Sequence, residues 1–306
     1  MVNNIGKCIK NAKTKDAALS GITEKNLWQS YIITKNGFEG FDKFSSFSHS
    51  MTLKKDSVET KVARGMKDYN LFDLQKEINQ LNSQFDSLGK PLKTPTGKYN
   101  VILRPAAVDN LFAFLYWMMN MRDADEGVNP FTGQLGKQFF GKSFTLRSTL
   151  DDDSLIAQRF TNEGLPGINT NLVKTGVIEN LPTSRYYAQL KGIKPVSQSN
   201  FVIDGGNSTE QEMMDSVENG LIINNFWYIR FIDKKKGELT GMTRDGVMYF
   251  ENGKIKNTAN NFRWNEVLHD VTRRILALGP SILKDNHTKV PAMLIKDFNF
   301  VDTSSF

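Results

Sequence analysis

Residues 96–121 read TGKYNVILRPAAVDNLFAFLYWMMNM, and this stretch decides the class of the fold. Residues 99–103 are a short strand by composition. Pro105 stands where a helix can begin without losing a backbone hydrogen bond. From 106 to 121 the predicted helix is apolar almost all round, which means that it is covered on most sides rather than lying on a surface. Its uninterrupted apolar run, 111–119, is nine residues, against roughly 20 for a membrane-spanning helix. The reading is therefore a buried helix that follows a core strand.

On either side the pattern is antiparallel. Residues 27–34 (LWQSYIIT) lead into Asn36-Gly37, a dipeptide suited to a tight hairpin, and a return strand starts at Phe38. Two further strands, 45–53 and 57–63, flank the polar turn Lys54-Lys55-Asp56. Leu71, Leu74, Ile78, Leu81 and Phe85 then recur at helical spacing, up to Gly89. Residues 90–98 (KPLKTPTGK) lack periodicity and read as a linker. They divide the chain into residues 1–92 and 97–306.

Beyond the buried helix, residues 143–150, 172–175 and 200–203 are short strand-like pieces. Ser208-Thr209 followed by Gln211 and Glu212 has the spacing of a capping box, with Gly220 as the expected stop, and 221–232 is a strand. Asn252-Gly253 joins 247–250 to 254–255. Trp264, Val267, Leu268, Val271, Ile275 and Leu278 predict one amphipathic helix ending at Gly279-Pro280. The last strand is 292–301. Helices and hairpins are mixed rather than alternating as βαβ units, so the expected class is α+β: a partial α/β N-terminal domain and a β-rich C-terminal one.

The 306 residues are 39% hydrophobic and 24% charged, enough for one large core or two modest ones, and this excludes a disordered chain. The lone cysteine, Cys8, excludes an internal disulfide and any all-cysteine metal site. No apolar segment follows the basic N-terminus, so the expected location is cytoplasmic. The net charge of +6 is spread over distant clusters at Lys54-Lys55, Lys234-Lys235-Lys236 and Arg273-Arg274, each with acids nearby. Nucleic acid is accordingly not an expected partner, and neither is a membrane.

Glycine-rich phosphate loops and the G-x-S-x-G elbow are absent. His49, His269 and His287 are too far apart to share a helical turn, so a helix-borne zinc motif cannot be built from them. Asp151-Asp152-Asp153 reads as a turn, since consecutive acids in extended backbone cannot all face one ion. Asp123, Asp125 and Glu126 read as solvated acids, and Phe112, Phe114, Tyr116 and Trp117 as core aromatics.

Five stretches taken in order resemble the TldD/PmbA (TldD/TldE) family, once called modulator of DNA gyrase. They are 96–103 (TGKYNVIL), Pro105-Ala106 with Val108 and Leu111, 160–166 (FTNEGLP), 218–223 (ENGLII) and 246–254 (GVMYFENGK). The resemblance covers about 27–298, and family members are longer, as if the first part of the N-terminal domain were lacking. It implies a dimer of two-domain subunits that acts on unfolded peptides. In the family one type of subunit carries H-E-x-x-x-H on the helix after the core strand and a later cysteine ligand, whereas the PmbA/TldE type lacks the motif and pairs with the first.

Carried over by position, the motif falls on Ala113-Phe114-Leu115-Tyr116-Trp117-Met118, and the cysteine near Asp285-Asn286-His287. Neither segment supplies the ligand set, and His287 alone falls short of the three protein ligands of a catalytic zinc. The resemblance thus implies a PmbA/TldE-like, non-catalytic subunit with no catalytic residue, metal or cofactor of its own. Its partner would be a zinc-bearing TldD-like chain, or itself, and its ligand an unfolded or extended peptide. Residues 224–232 and 241–244 are the expected peptide surface, with Asn224, Asn225, Trp227, Gly241, Met242 and Arg244 as candidate binding residues. The alternative is a metal-free homodimeric peptide-binding or structural protein; a neighbouring reading frame with H-E-x-x-x-H discriminates the two.

Overall fold

The computed structural model describes residues 2–304. Helix α1 (Val2–Thr14) buries Cys8 and Ala12 and leads into β1 (Ala18–Ile33), which turns back as β2 (Glu39–Lys55). At the hairpin tip only Gly37 takes a positive φ, 85°, and the loop is closed by the Thr34 N–H donating to the Phe38 carbonyl. The turn is therefore longer than a two-residue one, with glycine in its left-handed position. The return strand and the strand expected at 45–53 are one continuous β2 of 17 residues. After Asp56, β3 (Val58–Met66) completes a three-stranded antiparallel sheet in the order β1-β2-β3. Helix α2 (Leu74–Ser87) is capped by Asp73 and lays Leu74, Ile78 and Leu81 on Met51, Leu53 and Val62 of that sheet.

The rest of the chain runs β4 (Gly97–Leu103), α3 (Pro105–Met118), α4 (Met121–Asp125), β5 (Leu146–Ser148), β6 (Thr170–Lys174), β7 (Val177–Ile178), α5 (Arg185–Lys191), β8 (Phe201–Ile203) and α6 (Glu210–Asp215). It continues β9 (Asn219–Asp233), β10 (Glu238–Glu251), β11 (Lys254–Ala259), β12 (Asn261–Val267), α7 (Leu268–Arg273), β13 (Ile275–Leu278), β14 (Ile282–Leu283), β15 (Thr288–Val290) and β16 (Met293–Ser304). The fold is α+β and rich in antiparallel sheet.

One sheet has the order β11-β10-β12-β16-β4-β9, and β9 also pairs with β10 along its length, so the strands close into a ring. Its side chains alternate between two buried environments, as the period of a strand requires. Val101, Leu103, Leu221 and Ile223 join the large core with α3. Ile102, Ile222, Met248 and Leu294 pack instead with Met213 and Met214 of α6. The second sheet, β14-β15-β8-β5-β6-β7, lies on the other side of α3, where Tyr116 stacks on Phe201. The helix is thus covered by both, as its apolar circumference demands. No helix among the described residues is long and apolar enough to cross a membrane, which says nothing of strands.

Several local expectations are corrected. The helix expected over 264–278 is strand β12, the short α7 and strand β13. Residues 261–267 alternate, with Phe262, Trp264 and Glu266 buried, and the polarity of Glu266 hides that period. His269 packs in α7 against Phe139, ring centroids 4.4 Å apart. The helix after the core strand ends at Met118, and Asn120 caps α4 instead of continuing it. The capping box of Thr209 and Glu212 is present, but Gly220 is no helix stop. It lies within β9, where a Cβ would meet the Phe250 ring at 2.7 Å.

Candidate functional site

The pairing of β9 with β10 shifts register at three places, and the two within 240–247 shape a groove. In the first, Gly241 faces two residues, Tyr228 and Ile229, because Thr240 pairs with Arg230 and Met242 with Trp227. Tyr228 takes a φ of 55°, a conformation that bulky residues rarely adopt. This breaks the alternation, and Trp227 and Tyr228 are both about half exposed, at 53% and 54%. Gly241 is buried opposite them; a Cβ there would stand 2.4 Å from Trp264 Cζ2. In the second bulge Asp245 and Gly246 (φ 61° and 105°) face the single residue Asn224.

A hydrogen-bond network fills the space between β4, α3 and these bulges. Arg104 donates to Glu210 through two bonds of 2.7 and 2.6 Å and to Asn224 Oδ1 at 2.6 Å. Asn224 Nδ2 donates to the Asp245 carbonyl, and Asn225 Nδ2 to Asp245 Oδ2, each at 2.7 Å. Asn110 of α3 donates to Asn225 Oδ1 and to the Phe226 carbonyl, so it claims part of the β9 edge that β4 leaves beyond Ile223. Burial raises the Asp245 carboxyl above its ordinary range, against the Asn225 hydrogen bond that favours the charge.

Three recesses follow the β9–β10 surface. One of about 510 Å3 lies between Lys54, Glu59, Leu88 and Asn260. It shares Glu59, Arg244 and Asp245 with a cleft of about 410 Å3 whose other walls include Thr52, Lys61, Asn225 and Lys284. That cleft shares Asn110 and Trp227 with an apolar shelf made by Ala113, Phe114 and Tyr228. Of the six candidate binding residues, Asn224, Asn225, Trp227 and Arg244 line the middle cleft, where Arg244 stacks over the Trp227 ring at 5.2 Å. Gly241 belongs to the core beneath it, and Met242 lies beside Trp227 in the strand register. Sequence reasoning missed Asn110, Lys61, Asp245 and Lys284, which come from four separate elements or turns and share no local spacing.

Behind the cleft lies a polar pocket under α3. Burial and the neighbouring Asp285 raise Asp109 to about 6, although Lys284 and the nearby Thr288 favour its charge. The Lys284 ammonium is lowered by burial and donates to the Ala63 carbonyl of β3 at 3.0 Å. Tyr116 is raised well above its ordinary value by burial, and its hydroxyl finds no hydrogen-bond partner.

The positions where the family resemblance places metal ligands do not fit a metal. Leu115 and Met118 are fully buried at 0% exposure, Ala113 has no donor atom and Trp117 projects outward at 70% exposure. Asp285 Oδ1 is taken by the His287 N–H and the Thr288 hydroxyl, at 2.7 and 2.6 Å. His49 is bonded to Thr23 and packed on Phe72. Asp152 holds Lys289 at 2.7 Å and Asp151 accepts from Asn169, so these acids secure a turn. Asp123, Asp125 and Glu126 pair with Lys234, Lys191 and Arg122. Among the described residues no three His, Cys, Asp or Glu side chains converge as a metal site would need.

Residues 96–302 match the family model of the PmbA/TldA metallopeptidase C-terminal domain. Among solved structures, TldE from Thermococcus kodakarensis superposes with a TM-score of 0.88 at 16% identity, over 98% of this chain and 74% of that one. A candidate DNA gyrase modulator from Thermotoga maritima gives 0.88 at 15% identity, over 98% and 73%. Another from Bacteroides thetaiotaomicron gives 0.85 at 16%, over 98% and 71%. At such identities the structural likeness speaks for the fold.

Proposed function

The chain belongs to the PmbA/TldD family, and on that premise we propose that it is a PmbA/TldE-type subunit, without a catalytic centre of its own, that completes the peptide chamber of a metallopeptidase. The metal would be held by a TldD-like partner chain, and the pair would act in the cytoplasm on unfolded peptides. Residues 1–92 and 97–306 form its two domains in this reading.

The single observation that carries the reading is the segment Ala113-Phe114-Leu115-Tyr116-Trp117-Met118, which holds no His, Cys, Asp or Glu, in a chain of the metallopeptidase family. A catalytic zinc requires about three protein ligands and an open position. What the chain offers instead is a groove with a rigid floor. Its amides are held by Arg104, Asp245 and Asn110, and they are suited to aligning an extended peptide rather than to attacking it.

Metal analysis and peptide hydrolysis test the reading, first on the isolated chain and then after co-expression with a homologue carrying H-E-x-x-x-H. The expected result is no stoichiometric zinc and no turnover alone, with hydrolysis by the co-purified pair that exceeds the partner's own. Stoichiometric zinc and chelator-sensitive cleavage by the single chain would overturn it.

A further inference from the structure

We propose that the groove selects an extended segment in which a large apolar side chain stands next to an acidic one, the apolar group lying on the Trp227–Tyr228 shelf and the carboxylate meeting Lys61 and Lys284. This rests on the peptide-capture reading above and names the class of peptide.

Three features argue for this occupant. The first is the shelf itself. The left-handed Tyr228, φ 55°, costs backbone energy, and its effect is to turn two consecutive rings to the same open side, beside Ala113 and Phe114. Core packing explains Gly241 and Ile229 on the inner side of the bulge, yet it does not use the two outward rings. Rings held in this way give a large apolar contact at little entropic cost.

The second is charge. The carboxylates of the adjoining cleft are already engaged: Glu59 with Lys54 and Arg244, at 3.3 and 3.5 Å, and Asp245 with Asn225. Among the described residues Lys61 forms no ion pair within 4 Å, and its charge acts on Asp245 from farther off. The Lys284 ammonium, largely buried, reaches only the Ala63 carbonyl by hydrogen bond, with Asp109 and Asp285 acting on it from farther off. An entering carboxylate would meet the exposed Lys61 ammonium and the sheltered Lys284 one, contacts stronger than those between neutral groups.

The third is continuity. The recesses are strung together by shared walls, Arg244 and Asp245 at one junction and Asn110 and Trp227 at the other. Recesses joined in this way suit an internal segment of a chain better than a terminus. The carboxylate is therefore that of an internal Asp or Glu.

Fluorescence anisotropy with the full chain and labelled, capped nine-residue peptides tests this. The parent peptide carries Phe-Glu at its centre, and the comparison peptides carry Phe-Gln, Phe-Lys and Ala-Glu. Phe-Glu is expected to bind at least about tenfold more tightly than each. Lys61→Glu should reverse the preference between Phe-Glu and Phe-Lys, a result that mere loss of folding cannot give. Tyr228→Gly, which removes the ring while suiting the backbone, should weaken Phe-Glu and leave the thermal midpoint unchanged or higher. Equal binding of all four peptides overturns the selectivity while capture stands. If none binds but the co-expressed pair still cleaves, the shelf and lysines are not the site; if none binds and no pair forms, the capture reading falls with it.

Discussion

Arg104 and Glu210 meet along two hydrogen bonds, Nε to Oε2 at 2.7 Å and Nη2 to Oε1 at 2.6 Å. The pair joins the end of β4 to the start of α6 and leaves Nη1 for Asn224, so one guanidinium orients the groove floor. Both side chains are largely sheltered, at 20% and 33% exposure. Bonds of this charged, two-pronged kind are stronger than neutral ones.

Arg104→Met should therefore cost about 2 kcal/mol or more, because it strands the Asn224 amide oxygen and the Glu210 charge together. Glu210→Gln, which keeps one acceptor, should cost about 1 kcal/mol. Urea midpoints measure both, and an unchanged midpoint for Arg104→Met would remove the network from the account of the floor.

Gly241→Ala should destabilise by about 1–3 kcal/mol through overpacking. Its Cβ would lie 2.4 Å from Trp264 Cζ2 and 3.1 Å from Ile229 Cγ1, both in the core. Thermal unfolding of the variant reads the loss, and an intact midpoint would mean that the sheet relaxes there without cost.

Asp109 makes stability depend on pH with a definite sign. Its carboxyl is held at about 6 when folded, against an ordinary value near 3.8. Below the lower value both states hold the proton, and above the upper one neither does. Between them the folded state binds more protons, so this group lowers stability as pH rises through that window. Asp109→Asn should flatten that fall and raise stability at pH 7 relative to the parent. Denaturation at several pH values checks it, and a parallel profile for the two proteins would contradict the assignment.

Asp152 acts in the opposite sense. Burial pushes its carboxyl up, but hydrogen bonds from Lys289 and Ser154 together outweigh it and bring the value to about 2. Its stabilisation is present above the ordinary value near 3.8 and is lost as pH falls toward 2. Asp152→Asn should remove that acid-limb contribution, read as a smaller drop in midpoint between pH 5 and pH 3 (about the titration range of a carboxylate).

What could be read from the sequence was local. Asn252 and Gly253 take φ values of 48° and 69°, the pair of left-handed residues that their dipeptide announces. The Thr209–Glu212 box and the buried helix after Pro105 were legible for the same reason, since their causes lie within one or two turns. Strand β12 was not. Glu266 is buried where the alternation calls for an apolar residue, and it is tolerated because Arg274 and the Asn299 N–H satisfy it from other strands and turns. Without that knowledge Trp264, Leu268, Val271 and Ile275 imitate a helix. The groove was half legible. Asn224, Asn225, Trp227 and Arg244 sit on two neighbouring strands, but Lys61 and Lys284 reach it only through tertiary docking of β3 against the turn after β14.

The closed ring of strands sets how the molecule breathes. Strand β10 is bonded along one side to β9 and along the other to β12 and β11 in succession, so its amides should be the last to exchange with deuterium. The distal half of β1 has only β2 beside it, with side chains exposed on both faces, and its protons should be lost first. Labelling would then fade inward from that ribbon, with the groove floor among the slowest parts to change.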